Sequence, residues 1–320
     1  MTNNARISVV IPCFRVTRHV LDVIARIPSD VERIYAVDDA CPDGSGGYIE
    51  THCKDPRVVV LRNAVNLGVG GAVATGYRRA LDDGMHIVVK IDGDGQMDPA
   101  LLPQFVAPIS AGQADYTKGN RFFSVDRVRQ MPLVRLIGNA GLSFVNKMVS
   151  GYWGVMDPTN GYTAIHTAML AHMPLDRLER RYFFESDMLY QLSLLRAVVR
   201  DVPIHARYAD EVSGLSIANT LMRFPGKYAT RFFKRFFYNY LLRDFNAGSI
   251  ETLLGVLLIS SGSIFGLLRW ISSAQTGIPA SAGTVMLAAL PIILGAQLIL
   301  SALQYDVENQ PRQPIHPSLT

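Results

Sequence analysis

The sequence predicts an α/β domain with a largely parallel sheet, followed by two helices long enough to cross a membrane. Over the first third of its 320 residues, short apolar runs alternate with helix-like segments, a pattern typical of βαβ units. Charged residues are frequent up to about residue 244, whereas Arg269 is the only charged residue between positions 252 and 305. The net charge of +4 and the hydrophobic share of 49% therefore average over two unlike parts.

Four apolar runs have the composition of buried strands, at residues 7–11, 34–37, 58–61 and 87–91. Helices are expected between these runs, near residues 16–27 and 70–83. In an open sheet of parallel strands, ligands bind at the carboxyl ends of the strands. The residues that directly follow each run are therefore the first candidates for a functional site.

Two apolar stretches, residues 250–271 and 282–303, have membrane-spanning length, since about 20 residues cross the hydrocarbon core. Gly277 and Pro279 lie in the bridge between them and favour a tight helical hairpin. The alternative is a pair of buried core helices in a water-soluble protein. Gly262 and Gly266 would let another helix approach the first span closely, either the second span or a second copy of the chain in a homo-oligomer.

Residues 222–245, directly before the first span, interleave basic and aromatic side chains at helical spacing. This composition indicates an amphipathic helix in the lipid headgroup region. A nucleic-acid-binding helix would also be basic, but the position before a span favours the lipid surface, so we expect no nucleic-acid partner. The excess of positive charge beside the span predicts that the α/β domain and the tail after the second span are both cytoplasmic.

The predicted organisation has four parts. Residues 1–215 form the cytoplasmic α/β domain, residues 216–249 amphipathic juxtamembrane helices, residues 250–305 the two spans, and residues 306–320 a cytoplasmic tail. The three cysteines form no Cys-x-x-Cys pair and are expected to be reduced thiols. No cleavable signal peptide is expected, because residues 7–11 are too short for its apolar core and lead into Pro12.

The strongest local signal is the run Asp-Gly-Asp-Gly-Gln at residues 92–96, directly after the fourth apolar run. Asp92 and Asp94 would project from the carboxyl end of a strand into the expected crevice. Oxygen ligands are those that Mg²⁺ and Mn²⁺ prefer, and such ions share their coordination with a diphosphate. A metal held here would neutralise charge on a departing nucleoside diphosphate. The alternative is a solvated turn rich in Asp and Gly.

Two further segments follow predicted strands. Asp38 and Asp39 end the second strand; Asp39 can accept hydrogen bonds from a base or a ribose, or the pair can cap the next helix. Residues 66–72, Asn-Leu-Gly-Val-Gly-Gly-Ala, open a helix after the third strand. Their position and spacing do not match the dinucleotide-binding fingerprint. Close approach of the backbone at Gly68 and Gly70 to a nucleotide-sugar explains them better.

Taken in order, these motifs resemble those of the family-two GT-A glycosyltransferases. The segments that carry the resemblance are residues 9–12 (Val-Val-Ile-Pro), 37–39, 66–72, 92–96 and 118–121 (Lys-Gly-Asn-Arg). The branch that looks most similar contains the dolichol-phosphate-mannose-synthase-like enzymes and their bacterial undecaprenyl-phosphate relatives. Residues 157–162, Asp-Pro-Thr-Asn-Gly-Tyr, match a further motif of this branch. The resemblance covers residues 6–215, and the two spans resemble those of the membrane-anchored bacterial members.

The resemblance implies a GT-A fold for the α/β domain and an inverting transfer of a sugar from a nucleotide-sugar to a polyprenyl phosphate. The enzyme would use Mg²⁺ or Mn²⁺ and lie in the bacterial cytoplasmic membrane. The implied nucleotide contacts are Pro12, Asp39, Gly68, Gly70 and Asp92, and the implied metal ligands are Asp92, Asp94 and Gln96. Arg121 would meet a phosphate, which its forked donors suit.

For the acceptor phosphate, the resemblance implies Arg121, Arg135, Asn139 and Arg207. Arg135 and Asn139 are four apart on a helix expected over residues 133–149, so they share one face. The sequence departs from the family at two places. Residues 15–17 are Arg-Val-Thr where an acidic residue is frequent, and Ile217 occupies the lysine position of a late basic-Gly-x-Ser-Lys segment.

The implied mechanism is a direct displacement in which a phosphate oxygen attacks the anomeric carbon. A phosphate is already anionic at neutral pH, so no strong general base is needed. A hydroxyl acceptor, as in an enzyme that extends a lipid-linked saccharide, would need one, and Asp157, Glu185 and Asp187 are candidates. Three competing hypotheses are a non-catalytic nucleotide-sugar-binding membrane protein, a processive synthase, whose Gln-x-x-Arg-Trp signature is missing, and an NAD enzyme.

Overall fold

The structure is a computed structural model that describes residues 5–123, 133–204 and 217–319. For residues 133–135 and 217–223 the description covers the helical backbone alone. The chain divides into two compact units, one comprising Met1–Phe232 with Pro311–Thr320 and the other Phe233–Gln310.

The first unit is built on a seven-stranded sheet. Its strands are β1 (Ile7–Cys13), β2 (Val31–Asp38), β3 (Val58–Arg62), β4 (Ile87–Lys90), β5 (Tyr116–Asn120), β6 (Thr163–His166) and β7 (Val199–Pro203). The strand order is β3-β2-β1-β4-β6-β5-β7. Strands β1 to β4 run parallel, β5 pairs in parallel with β7, and β6 is antiparallel to both of its neighbours. The mostly parallel sheet predicted from the sequence is confirmed.

The helices of this unit pack on both faces of the sheet or extend from it. They are α1 (Val20–Ala25), α2 (Ser45–His52), α3 (Val69–Asp82), α4 (Leu102–Ser110), α5 (Leu133–Ser150), α6 (Thr167–Ala171), α7 (Phe184–Leu195), α8 (Ile217–Phe236, which ends in the second unit) and α11 (His316–Leu319). The helices expected near residues 16–27 and 70–83 correspond to α1 and α3, and the one expected over 133–149 corresponds to α5.

Strand β1 shows why the apolar runs are continuous rather than alternating. Val9 and Ile11 point into a core beneath α1, α2 and α4, whereas Val10 points into a second core beneath α3 and α7. All three side chains are completely buried. A sheet that is covered on both faces needs apolar residues at successive positions. This burial leaves the carboxyl ends of β1, β2 and β4 as the places where polar side chains can gather.

The second unit consists mainly of a helical hairpin of α9 (Ala247–Thr276) and α10 (Ala282–Glu308), which follows the end of α8 and a π-helical segment, Phe237–Arg243. Both helices are long and apolar enough to span a membrane. A Cβ atom added to Gly255 would lie 3.0 Å from the carbonyl oxygen of Gly295, and one added to Gly262 would lie 2.8 Å from that of Ala288. Small residues thus let the two helices approach closely. Gly262 accordingly packs against the partner helix of the same chain.

The C-terminal segment returns to the first unit. Asp115, which is fully buried, accepts hydrogen bonds from the backbone N–H groups of Ile315 and His316 (2.9 Å each) and contacts Nδ1 of His316 at 2.8 Å. The His316 ring stacks on His166 with centroids 4.3 Å apart. A buried carboxylate with several donors is a strong local attachment. The segment after the hairpin is therefore bound to the domain that precedes it.

The stacking of His166 on His316 predicts that the stability of the domain depends on pH. Burial lowers the pKa of His166 to about 4, and the adjacent His316 and His86 act in the same direction. The fold therefore favours the neutral ring. The neutral His166 ring contributes fully to the free energy of unfolding above the unfolded-state pKa of about 6.5, and this contribution is lost as the pH falls from there toward 4. Between pH 7.5 and pH 5, we expect it to weaken the domain by on the order of 1 kcal/mol.

The variant His166→Asn tests this expectation, because asparagine can still accept the hydrogen bond from the Ala168 N–H that caps α6. Its Tm should fall less than that of the wild type when the pH is lowered from 7.5 to 5. Replacing the exposed His52 with asparagine is the control and should leave the pH dependence of the Tm unchanged. An identical Tm decrease in the wild type and His166→Asn would contradict the assignment.

Candidate active site

A cavity of about 870 Å³ opens at the carboxyl ends of β1, β2 and β4. Five of the residues predicted from the sequence line or border it together: Pro12, Asp39, Gly68, Asp92 and Asp94. Other residues that line it include Phe14, Arg15, Asn66, Arg181 and Tyr182. Since these positions come from segments up to 170 residues apart, the parallel sheet is what assembles them. We call this cavity the strand-end cleft.

Asp39 holds the glycine turn, residues 66–71, in place beside the cleft. Its buried carboxylate accepts hydrogen bonds from the Asn63 side chain (2.7 Å) and from the backbone N–H groups of Leu67 (2.9 Å) and Gly68 (2.7 Å). The neighbouring Asp38 accepts from the N–H groups of Cys41 and Gly46 at the start of α2. The helix-capping role left open for this pair therefore belongs to Asp38, while Asp39 fixes the glycine turn that precedes α3.

Two non-glycine residues beside the cleft have a left-handed backbone, Arg15 with φ of 59° and Ala40 with φ of 51°. This conformation is unfavourable for residues that carry a Cβ, and it concentrates at binding sites. The Arg15 N–H group lies 3.1 Å from the Cys41 sulfur, which helps to hold this conformation. The strained positions lie two residues after the last residues of β1 and β2, at the edge where ligands of such sheets bind.

Asp92 is paired with a buried lysine. The Nζ atom of Lys90 lies 2.9 Å from Oδ1 of Asp92 and 3.3 Å from Oε1 of Glu185, and the Lys90 side chain is 1% exposed. Burial lowers the pKa of Lys90, but the two carboxylates outweigh burial and raise the pKa above its ordinary value. Lys90 is thus a buried cation that orients Asp92. It was not among the residues predicted from the sequence, although a lysine at the end of an apolar strand is an available signal.

The strand-end carboxylates fit a divalent cation that is shared with a diphosphate. Asp92 and Asp94 both border the cleft, and Oδ1 of Asp94 accepts a hydrogen bond from the Gln96 N–H at 2.9 Å. Within the described residues, no group of three or more His, Cys, Asp or Glu side chains could hold a metal ion. Sites for Mg²⁺ with phosphates commonly use one or two carboxylates and leave the other positions to phosphate and water. The oxygen donors present here match that pattern.

Arg121 is held by a buried carboxylate. Its Nε and Nη2 atoms lie 2.7 and 3.0 Å from the two carboxylate oxygens of Asp157, a bidentate pair. Burial raises the pKa of Asp157, but the hydrogen bonds and the charge of Arg121 lower it by more, so the pKa is below its ordinary value. Asp157 itself is fully buried. It is therefore placed to orient Arg121 rather than to contact a substrate.

A second, apolar cavity of about 390 Å³ begins beside this ion pair. The residues next to the pair in sequence, Phe122 and Met156, both line it, and Leu136, Asn139, Phe144 and Lys147 form its other side along α5. Phe144 and Met156 are each more than half exposed. The groove thus offers mostly apolar contacts to a ligand. We call it the α5 groove.

Of the four residues expected to contact an acceptor phosphate, the structure places Arg121 and Asn139. Asn139 lines the α5 groove. Arg121 and its partner Asp157 are the chain neighbours of Phe122 and Met156, which also line it. Arg207 lies outside the described residues, and Arg135 lies in the part of α5 for which the backbone alone is described.

The glycines of the turn before α3 make room for the protein's own backbone. A Cβ atom added to Gly70 would lie 2.2 Å from the carbonyl oxygen of Glu179, and one added to Gly68 would lie 2.6 Å from that of Arg180. Contact with the segment 179–184 thus accounts for glycine at position 70, which is not among the residues that line the cleft, whereas Gly68 does border the cleft. This segment also brings Arg181 to the cleft, a residue that no local pattern marks. The close approach of Gly70 to a nucleotide-sugar stays a prediction.

The three carboxylates considered as general bases are all engaged by cations. Asp157 pairs with Arg121, Glu185 contacts Lys90, and Asp187 accepts from Nε of Arg231 at 3.0 Å. Asp187 is also buried, and burial raises its pKa despite the charge of Arg231.

Comparison with known proteins gives a consistent result. The sequence pattern of glycosyl transferase family 2 matches residues 8–173. An undecaprenyl-phosphate mannosyltransferase of Micrococcus luteus is 29% identical over 203 residues, which cover 62% of this chain and 82% of the relative. A UDP-N-acetylglucosamine–dolichyl-phosphate N-acetylglucosaminyltransferase of Methanococcus voltae is 26% identical over 64% of this chain and 86% of the relative.

Among solved structures, glucosyl-3-phosphoglycerate synthase of Mycobacterium tuberculosis, in complex with Mn²⁺, UDP and glucosyl-3-phosphoglycerate, has a similar fold. Its TM-score is 0.53 at 19% sequence identity, and the match covers 72% of this chain and 80% of that chain. At this identity the likeness concerns the fold alone, and it agrees with the GT-A fold expected from the sequence.

The packing of the glycine turn predicts that Gly70→Ala destabilises the protein. The new methyl group would collide with a backbone carbonyl and with the Phe184 side chain, at 2.2 and 2.7 Å. Overpacking of this kind costs about 1–3 kcal/mol. The matched control is Gly47→Ala in α2, where no atom lies within 4 Å, and it should raise stability by about 0.5–1 kcal/mol. A Gly70→Ala protein whose Tm equals or exceeds that of Gly47→Ala would contradict this packing.

Proposed function

Because the chain belongs to glycosyl transferase family 2, we propose that it moves a sugar from a nucleotide-sugar to a polyprenyl phosphate, undecaprenyl phosphate in a bacterium. The sugar is transferred with inversion, with the help of Mg²⁺ or Mn²⁺. Two relatives are named as enzymes that act on undecaprenyl phosphate and on dolichyl phosphate, and they support this choice of acceptor. The strand-end cleft takes the nucleotide-sugar, and the α5 groove takes the first part of the lipid chain.

The observation that carries this proposal is the short segment that joins the two cavities. Met156 lines the α5 groove, Asp157 holds Arg121, and a Cβ atom added to Gly161 would lie 2.8 Å from Oδ2 of Asp92. Five residues of extended chain span at most about 18 Å. An apolar chain in the groove thus has its charged end near Arg121, within reach of a sugar in the strand-end cleft.

In the proposed reaction, a phosphate oxygen of the lipid forms a bond to the anomeric carbon while the bond to the nucleoside diphosphate breaks. Arg121, fixed by Asp157, orients the acceptor phosphate with its planar donors. The phosphate needs no base at neutral pH, in agreement with the pairing of Asp157, Glu185 and Asp187 to cations. Lys90 orients Asp92, and the Gln96 N–H orients Asp94.

Asp92 and Asp94 would hold the divalent cation, with Gln96 beside them. When bound, that cation supplies positive charge against the departing diphosphate. Arg15 and Arg181, which both line the cleft, add further positive charge. The nucleotide contacts in this proposal are Pro12, Asp39 and Gly68.

We further propose that α9 and α10 cross the bacterial cytoplasmic membrane as a hairpin. The chain enters the hairpin from the α/β domain, and the segment after it binds the same domain at Asp115. Both ends of the hairpin are thereby on one side, which requires two crossings. The basic residues before α9 assign that side to the cytoplasm.

The proposal predicts lipid-linked product. The purified protein in detergent, incubated with Mn²⁺, a panel of labelled nucleotide-sugars and undecaprenyl phosphate, should move label from one donor into the lipid fraction. Asp94→Ala should lower this activity by at least about 100-fold, because it removes charge stabilisation of the leaving group. The matched control, Asp30→Ala at an exposed turn, should keep wild-type activity. Label that moves only onto a lipid-linked saccharide would replace the phosphate acceptor with a hydroxyl.

The role of Arg121 predicts a selective defect. Arg121→Lys keeps the charge but loses the forked geometry, so we expect kcat/KM for undecaprenyl phosphate to fall by about 10- to 100-fold. The affinity for nucleoside diphosphates with Mn²⁺ should stay within about twofold of the wild-type value. The same exchange at Arg200, whose guanidinium contacts the Gln113 side chain at the surface, is the control. Equal losses in acceptor use and in nucleoside diphosphate affinity would contradict the assignment.

A further inference from the structure

The wall of the strand-end cleft that contains Arg181 and Tyr182 is attached to helix α8. One carboxylate oxygen of Glu179 lies 2.5 Å from Nζ of Lys227, and the other lies 2.8 Å from Nη2 of Arg231. The two cations are four residues apart, so they lie on one face of the helix. The Glu179 side chain is 20% exposed, which makes this a partly buried network rather than a solvated surface pair.

The opposite side of the same segment rests on the glycine turn. The carbonyl of Arg180 accepts a hydrogen bond from the Gly71 N–H at 3.2 Å, and the carbonyl of Glu179 fills the space beside Gly70. The glycine turn also donates a hydrogen bond from the Gly68 N–H to Asp39. A continuous series of contacts therefore runs from α8 through residue 179 to the carboxylate that borders the cleft.

Helix α8 is docked by a second set of buried contacts. Nε of Arg231 reaches the buried Asp187 at 3.0 Å, and Asp187 also accepts from the Glu179 N–H at 3.0 Å. The Tyr228 hydroxyl bonds to the Asn146 side chain at 2.8 Å and to Ser186 at 3.0 Å. A buried polar network of this kind selects one arrangement of the groups that it joins. The position of α8 thus determines the position of residues 179–182.

We propose that Lys227 and Arg231 are positioning residues of the donor site. Through Glu179 they hold Arg181 and Tyr182 as the wall of the strand-end cleft, so the affinity for the nucleotide part of the donor depends on the docking of α8. In chain order, α8 precedes the two apolar helices. The donor site is thereby coupled to the segment that precedes the membrane spans. This inference rests on the proposed function in one respect, that the strand-end cleft binds the nucleotide-sugar.

The test reverses the charges of the network. Glu179→Lys places a third cation beside Lys227 and Arg231 and should displace the wall. Adding Lys227→Glu supplies a carboxylate that can pair with the new ammonium group and, one turn along α8, with Arg231. Glu32→Lys, which breaks the ion pair with Arg6 at the amino end of β2, is the control far from the cleft. The probes are UDP, GDP, CDP, ADP and dTDP with Mn²⁺, and the measurement is the Kd by titration calorimetry of the full-length protein.

We expect Glu179→Lys to weaken the tightest-binding nucleoside diphosphate about tenfold and the double variant to recover to within about threefold of the wild type. Glu32→Lys should bind like the wild type. Wild-type affinity in Glu179→Lys, or no recovery in the double variant, would overturn the inference. If Glu179→Lys fails to fold, Glu179→Gln carries the same expectation at about threefold. A wild-type protein that binds none of the five nucleotides would refute the proposed donor site itself.

Discussion

Negative charge collected at one edge of the sheet is the constraint on which the rest of the site depends. Asp39 follows β2, and Asp92 and Asp94 follow β4; the apolar residues of both strands are buried, so the three carboxylates meet at the carboxyl ends of these strands. Charges brought together in a partly buried site need compensation. Each of these carboxylates has its own partner. Backbone N–H groups of the glycine turn donate hydrogen bonds to Asp39, and the Gln96 N–H donates one to Asp94. The Lys90 ammonium group forms an ion pair with Asp92. The negative charge that remains suits a divalent cation, which can in turn share its coordination with a diphosphate.

Much of this arrangement was predictable from local sequence. The buried strands and the Asp-Gly-Asp motif after β4 are short-range patterns, and the parallel order of β1 to β4 follows from the alternation of strands and helices. Three features had no local signal. Strand β6 inserts antiparallel between β4 and β5, the segment around Glu179 packs on a turn more than 100 residues earlier, and His316 binds an aspartate 201 positions away. Such pairings are decided by packing between distant segments, which periodicity does not report.

The glycine turn shows how a correct pattern can have a different cause. Gly68 and Gly70 were expected to bring the backbone close to a nucleotide-sugar. In the structure both are close to the carbonyl groups of Glu179 and Arg180, which need the space that a Cβ would occupy. The requirement for glycine is therefore structural at Gly70, and its effect on the cleft is indirect. Glycine at position 70 lets the segment that contains Tyr182 pack against the glycine turn, so that Tyr182 and Asp39 line the same cleft. On its other side this segment is paired through Glu179 with Lys227 and Arg231.

The most direct test is a structure of the full-length protein with Mn²⁺ and the nucleoside diphosphate that binds most tightly. The anomalous signal of manganese locates the ion independently of the nucleotide. We expect one manganese peak bound by Asp94, with the diphosphate beside it and the nucleoside between Pro12 and the wall formed by Arg181 and Tyr182. A nucleotide bound outside the strand-end cleft, or a manganese peak that no carboxylate of residues 92–96 contacts, would contradict the assignment of this cleft as the donor site.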